Sequence, residues 1–126
     1  MPAPSAPRFR LPREQRLQVR REFEQVRAGG ERVVCGCLIA NWLKLPPGRP
    51  SRLGVITSRK IGDAVTRSRA RRLLRESFRL HQHDFREPAA VVLIARNSIA
   101  GKKRADVEQD FLNALRRGGL LKEPNA

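Results

Sequence analysis

Apolar residues recur with two different periods along the 126-residue chain, and the switches between them lay out its elements. Apolar positions three and four apart mark one face of a helix, whereas alternation or a short unbroken apolar run marks a strand. From Arg20 to Ala28 the apolar side chains Phe23 and Val26 share a helical face, and Gly29-Gly30 ends the helix. Arg32 to Leu43 is rich in Val, Ile and Leu, which predicts one long strand. Leu45-Pro46-Pro47-Gly48-Arg49-Pro50 cannot supply the N–H groups of a ladder and is a loop. Arg52 to Ser58 predicts the next strand, with Leu53, Val55 and Thr57 alternating against Gly54, Ile56 and Ser58. After a basic turn at Arg59 to Asp63, the helical period returns from Ala64 to Gln82. Ala90-Val91-Val92-Leu93-Ile94-Ala95 is apolar throughout, the mark of a strand buried on both faces. A polar loop from Asn97 to Lys103 leads into a last helix, Arg104 to Arg117. Its residues Val107, Phe111, Leu112 and Leu115 face the sheet, and Gly118-Gly119 stops it.

The order of elements, α-β-β-(β)-α-β-α, predicts an α/β chain of the α+β two-layer sandwich kind. One layer of helices packs on a small, mostly antiparallel sheet of about four strands. A single domain is expected over 13–118. Flexible tails are expected at 1–12, where Pro2, Pro4 and Pro7 fall, and at 119–126.

Charge changes this picture of a small globular chain. The formal net charge is +15, while apolar residues make up 40%, enough for a core. Such an excess seeks a polyanion. In the helix from Ala64 to Gln82, at about 100° per residue, Arg71, Arg75, Arg79, Arg72 and Arg69 fall within roughly 40° to 200° of Arg67. Ala70, Leu73, Leu74, Ser77 and Phe78 take the remaining arc. An ordinary solvated face interleaves both signs, because like charges at i,i+4 repel. Here Arg67, Arg71, Arg75 and Arg79 form one ridge with Glu76 the only acid nearby, so the ridge is expected to be covered by phosphates. No apolar run reaches membrane-spanning length, and the helix lacks the bulky aromatic anchors of an interfacial one, so no membrane partner is expected. Cys35 and Cys37 read as small, partly buried strand residues, neither a disulfide nor a zinc site, and a cytoplasmic location follows by default.

The run from Leu53 to Arg79 carries a longer signal. It comprises a glycine-containing strand, the basic turn Ser58-Arg59-Lys60, then Ile61-Gly62-Asp63-Ala64-Val65 and Arg67-Ser68-Arg69-Ala70-Arg71-Arg72 opening a helix. This order resembles the signature of the bacterial ribonuclease P protein component. Arg20 to Val26 is similar to that family's first helix and Val91 to Arg96 to its last strand, so the resemblance covers about Arg16 to Leu115.

The resemblance implies a protein that assembles with a large catalytic RNA to remove 5′ leaders from precursor tRNA. It implies Mg2+ in the RNA-containing holoenzyme, with no cofactor bound by the protein alone and no catalytic residue in it. It also implies a left-handed βαβ crossover. Carried over by position, Arg59, Lys60, Arg67, Ser68, Arg69, Arg71, Arg72 and Arg75 would contact the catalytic RNA. Phe23, Arg27 and Asn41 would receive the precursor tRNA leader. Ser68 and Asp63 stand where the family pattern has Asn, and Arg27 and Asn41 where it often has aromatics. The leader surface here is therefore expected to use charge and hydrogen bonds more, and stacking less. Asp63 either weakens phosphate contact or helps a metal ion bridge.

A protein-only nuclease would need converging carboxylates or histidines. Asp63, Asp84, Asp106 and Asp110 are scattered, His81 and His83 read as surface histidines, and the loop from Ser98 to Lys103 lacks the spacing of a phosphate-binding loop. The functions that remain beside the resemblance are a structural RNA binder such as a ribosomal protein and a stand-alone nuclease.

Overall fold

The computed structural model describes residues 15–17 and 20–121. Three helices, α1 (Arg20–Gly29), α2 (Ala64–His81) and α3 (Arg104–Arg117), surround four strands, β1 (Glu31–Cys35), β2 (Leu38–Lys44), β3 (Arg52–Ile56) and β4 (Ala89–Ala95). The strand order is β1-β2-β4-β3. β1, β2 and β4 pair antiparallel, and β3 pairs parallel to β4 through the α2 crossover. The sheet is mostly antiparallel and the class is α+β, as expected from the sequence.

The long strand expected over 32–43 is instead a hairpin. Cys35 pairs with Leu38, and Gly36 takes a φ of 56°, a left-handed conformation that a residue with a Cβ rarely adopts. Asp110 of α3 holds this turn, its Oδ2 accepting the Cys37 N–H at 3.0 Å. One glycine between two cysteines left the apolar pattern unbroken, which hid the turn. Cys37 thus lies in the turn, and both cysteines are buried and free. Burial, then the Asp110 carboxylate, pushes the Cys37 thiol up to about 12, so it stays protonated and unreactive.

The unbroken apolar run of β4 is explained by helices on both faces of the sheet. Val91 and Leu93 join Trp42, Leu74, Phe78, Phe111 and Leu115 in the main core beneath α2 and α3. Ala90 and Val92 point the other way, into a smaller cluster with Leu17 and Val26, against which Phe23, Leu43, Ile56 and Ile94 pack. The single helical layer expected is therefore α2 and α3, and α1 covers part of the opposite face. Val34, 43% exposed, marks where that cover ends.

The chain past α3 also departs from expectation. Leu120 and Leu121 are buried, Leu121 bridges Phe85, and Arg86 N–H donates to the Leu120 carbonyl at 2.8 Å. The fold thus extends to at least Leu121, and no tail begins at 119. The expected tail at 1–12 and the residues after 121 lie outside the described residues.

Candidate nucleic-acid interface

The arginine helix is aimed by the turn that precedes it. Residues Arg59–Ile61 form one turn of 3-10 helix, with Arg59 and Lys60 exposed and Ile61 buried. Asp63 then caps α2: its Oδ1 accepts the Thr66 N–H at 2.8 Å. This bond holds the Asp63 carboxyl below the usual carboxylate range, with a smaller contribution from Arg67. The capping role is what the sequence reading missed at this position, although Asp directly before a helical period is its usual signal.

A depressed folded-state value fixes the sign of a pH effect. The Asp63 carboxylate contributes its full stability above about pH 4, and that contribution is lost as pH falls through the lowered folded value. Asp63→Asn keeps a capping side chain without the titration. Thermal unfolding from pH 7 to pH 2.5 is therefore expected to show a smaller acid-side drop for the variant; parallel curves would contradict the assignment.

The arginines of α2 do not act as one ridge. Arg79 pairs with Glu76 across one helical turn, which lowers the Glu76 carboxyl and raises Arg79. The three that remain, Arg67, Arg71 and Arg75, run beside the end of β3. Arg67 donates to the Gly62 carbonyl at 3.3 Å. Arg71 donates to Thr57 Oγ1 at 2.8 Å and to Ser68 Oγ at 3.1 Å. Burial, then Arg16 and Arg71, push the Arg75 guanidinium below its ordinary value. On the other edge, Arg69 donates to the Lys102 carbonyl at 2.7 Å. Arg69 flanks, with Arg72, an open concavity that also takes in Ser68. The basic loop before α3 is thereby drawn against the arginine face.

Phe23 and Arg27 lie on the opposite side of the sheet. With Arg20, Glu24 and Ile56 they line a hollow of about 360 Å³. Phe23 rests directly on Gly54: a Cβ at residue 54 would lie 2.5 Å from its Cε1. A second hollow, of about 100 Å³, brings Phe23 together with Arg16 and Arg75 at the edge of β3. Arg75 and Phe23, expected on two separate RNA surfaces, thus meet at one seam. Asn41 does not join them. It lies on the α1-facing side of β2 opposite Val92, is 2% exposed, and its Nδ2 has no hydrogen-bond partner.

Two further ties join positions far apart in the chain and carry no local signal. Arg52 pairs with Glu22 and donates to the Arg16 carbonyl at 3.2 Å, fastening α1 and the preceding segment to β3. Leu17 N–H continues that attachment by donating to the Leu53 carbonyl at 2.7 Å. His81, read as a surface residue, is a link between helices: Nδ1 lies 3.1 Å from Asp84 Oδ2 and Nε2 lies 2.5 Å from Glu108 Oε2. The other three aspartates hold backbone ends apart from one another, Asp63 at α2, Asp106 at the Lys103 N–H and Asp110 at the hairpin. Among the described residues, no group of three or more His, Cys, Asp or Glu is placed to hold a metal ion. Nor is any helix among them long and apolar enough to cross a membrane.

A small α+β protein with a rigid arginine face on one side and an aromatic-lined hollow on the other is of the RNA-binding class. Comparison with known proteins gives the family. The model described as Ribonuclease P matches residues 11–119, and the chain belongs to that family. It is 41% identical over 90 residues to the ribonuclease P protein component of Desulfatibacillum aliphaticivorans, covering 71% of this chain and 75% of that one. It is 36% identical over 106 residues to that of Symbiobacterium thermophilum, covering 84% and 92%. Among solved structures, the Thermotoga maritima RNase P protein superposes with a TM-score of 0.70 at 28% identity, covering 81% of this chain and 96% of that one. The Staphylococcus aureus RNase P protein gives 0.76 at 20% identity, with 86% and 98% covered, a likeness of fold.

Proposed function

We propose that this chain is the protein subunit of ribonuclease P, docking on the catalytic RNA and holding the 5′ leader of precursor tRNA while the leader is cut off. Membership of the family over nearly the whole described chain carries this reading. It also argues against a ribosomal-type structural binder, which charge and fold class alone would have allowed. The catalytic RNA meets the outer face of α2 and its turn, through Arg59, Lys60, Arg67, Ser68, Arg69, Arg71, Arg72 and Arg75. Guanidinium forks suit that work because they stay charged and match phosphate oxygens two at a time.

The leader runs through the hollow beside α1. Phe23 offers a stacking surface that tolerates any base, and Arg27 meets the backbone. Asn41 contributes its unpartnered amide once a nucleotide displaces its cover. Bond cleavage belongs to the RNA, whose Mg2+ ions would activate the attacking water and stabilise developing charge; three of the protein's four aspartates are committed to a backbone N–H and Asp84 faces His81. The holoenzyme works in the cytoplasm.

Phe23→Ala tests the leader surface. Loss of one stacked base, worth about 1–3 kcal/mol, is expected to reduce the holoenzyme's preference for precursor over mature tRNA by roughly tenfold. Equal losses for both tRNAs would make Phe23 a packing residue only.

A further inference from the structure

Two large apolar side chains are exposed among the described residues, and the more exposed is Val65, at 77%, in the first turn of α2. The position is unexpected on two counts. A valine is a poor choice for a helix surface, because its branched side chain loses freedom against the preceding turn. It also sits amid the most cationic stretch of the molecule.

Its surroundings give it a use. Ala64, Val65, Ser68, Arg69 and Arg72 line a concavity of about 410 Å³ open to solvent, and none of the five is acidic. Its sides differ in kind. Ala64 and Val65 form an apolar step. The Arg69 guanidinium donates to the Lys102 carbonyl at 2.7 Å, which draws it toward the loop before α3. Arg72 is exposed. Ser68 Oγ accepts from Arg71 at 3.1 Å, which leaves its own O–H to donate outward.

A phosphate group would be served by the arginines and would have no use for Val65. A continuous RNA duplex keeps its bases stacked inside and offers mainly ribose and phosphate to a shallow surface. An unpaired nucleotide presents all three things this concavity can take: an apolar base face, polar base edges and a phosphate. Bases stack on guanidinium planes as they do on aromatic rings.

We infer that the concavity receives one unpaired nucleotide of the catalytic RNA. The base lies on the Ala64–Val65 step against the Arg69 guanidinium. Its edge or ribose accepts from the Ser68 hydroxyl, and a neighbouring phosphate meets Arg72. The inference rests on the proposed docking of α2 on that RNA and adds the kind of RNA element that docks, a bulge or loop in place of an uninterrupted helix.

The test is titration of the full chain with the ribonuclease P catalytic RNA and, separately, with a bulge-free RNA duplex, across a salt series. Val65→Ala and Val65→Ser are expected to weaken binding to the catalytic RNA roughly five- to fifteenfold, the effect of one to two buried methyl groups. The slope of log affinity against log salt stays unchanged, since no charge is removed. Duplex binding also stays unchanged, and Val65→Ala folds at least as stably as the parent because alanine is the better helix former. Unweakened binding to the catalytic RNA, or an equal loss toward the duplex, overturns the inference. Arg69→Ala combined with Arg72→Ala separates the two readings. If that pair flattens the slope while the Val65 variants bind normally, only the nucleotide inference fails; if the slope does not move, the docking face itself has been misassigned.

Discussion

Replacing Arg71 and Arg75 together with alanine is expected to weaken binding to the catalytic RNA roughly a hundredfold, with each charge-assisted hydrogen bond contributing about 1.5–3 kcal/mol. If about six arginines of the face neutralise phosphates, the parent's log-affinity falls with log salt at a slope near −4 to −5, and the double variant flattens it by about two units. Folding should survive the change. Arg71 gives up only its bonds to two hydroxyls, and removing Arg75 relieves the repulsion that Arg16 and Arg71 exert on a partly buried guanidinium. Anisotropy titrations in a salt series, with thermal unfolding alongside, measure both quantities. An unchanged slope would remove these two residues from the RNA face.

The other large effect is expected from Gly54→Ala. Gly54 is buried in β3 with Phe23 against it, and a Cβ would stand 2.5 Å from the ring's Cε1 and 2.7 Å from its Cζ. The added methyl must displace the ring, and with it the α1 helix that Phe23 anchors beside Val26. Overpacking of this kind costs about 1–3 kcal/mol. The same displacement removes the stacking surface, so leader-dependent affinity should fall at least as far as in Phe23→Ala. Catalytic-RNA binding should fall much less, because, of the arginine face on α2, only Arg75 borders a hollow with Phe23. A variant of unchanged stability that still prefers precursor tRNA would show that the ring gives way without consequence.

The parts of this molecule that the sequence disclosed share a physical cause. Helices α2 and α3 have long apolar faces at the helical period, and β4 is apolar on both sides because it is covered on both. Their packing was therefore written in one contiguous stretch each. What stayed hidden depends on contacts between distant positions. The hairpin turn at Gly36 carries no polar residue of its own and is held by Asp110, 74 positions away counting from 36 to 110. Leu120 and Leu121 read as a tail because their partners, Arg86 and Phe85, belong to another segment. Placement of α1 on the opposite face follows from Phe23 fitting over a glycine, which periodicity does not express.

The candidate site divides the same way. That arginines crowd one side of α2 is visible from their spacing alone. That Glu76 takes Arg79 out of the ridge, and that Lys102 fixes Arg69, required the folded chain. Asp63 is instructive because both readings offered for it concerned RNA or metal, whereas its carboxylate is engaged by the helix it begins. Asn41 was aligned with a leader-contacting position, and its place under α1 sets a condition on that role: the cover must move before the amide can act.

The central claim, that this protein serves an RNA-based leader-cleaving enzyme, is tested most directly by reconstitution. Precursor tRNA is incubated with the protein alone, with the ribonuclease P catalytic RNA alone, and with both, at moderate Mg2+. The account predicts no cleavage by the protein alone at any Mg2+ concentration, and faster 5′-leader removal with both than with the RNA alone. Metal-dependent cleavage by RNA-free protein, or a catalytic RNA that the protein fails to stimulate, would contradict it.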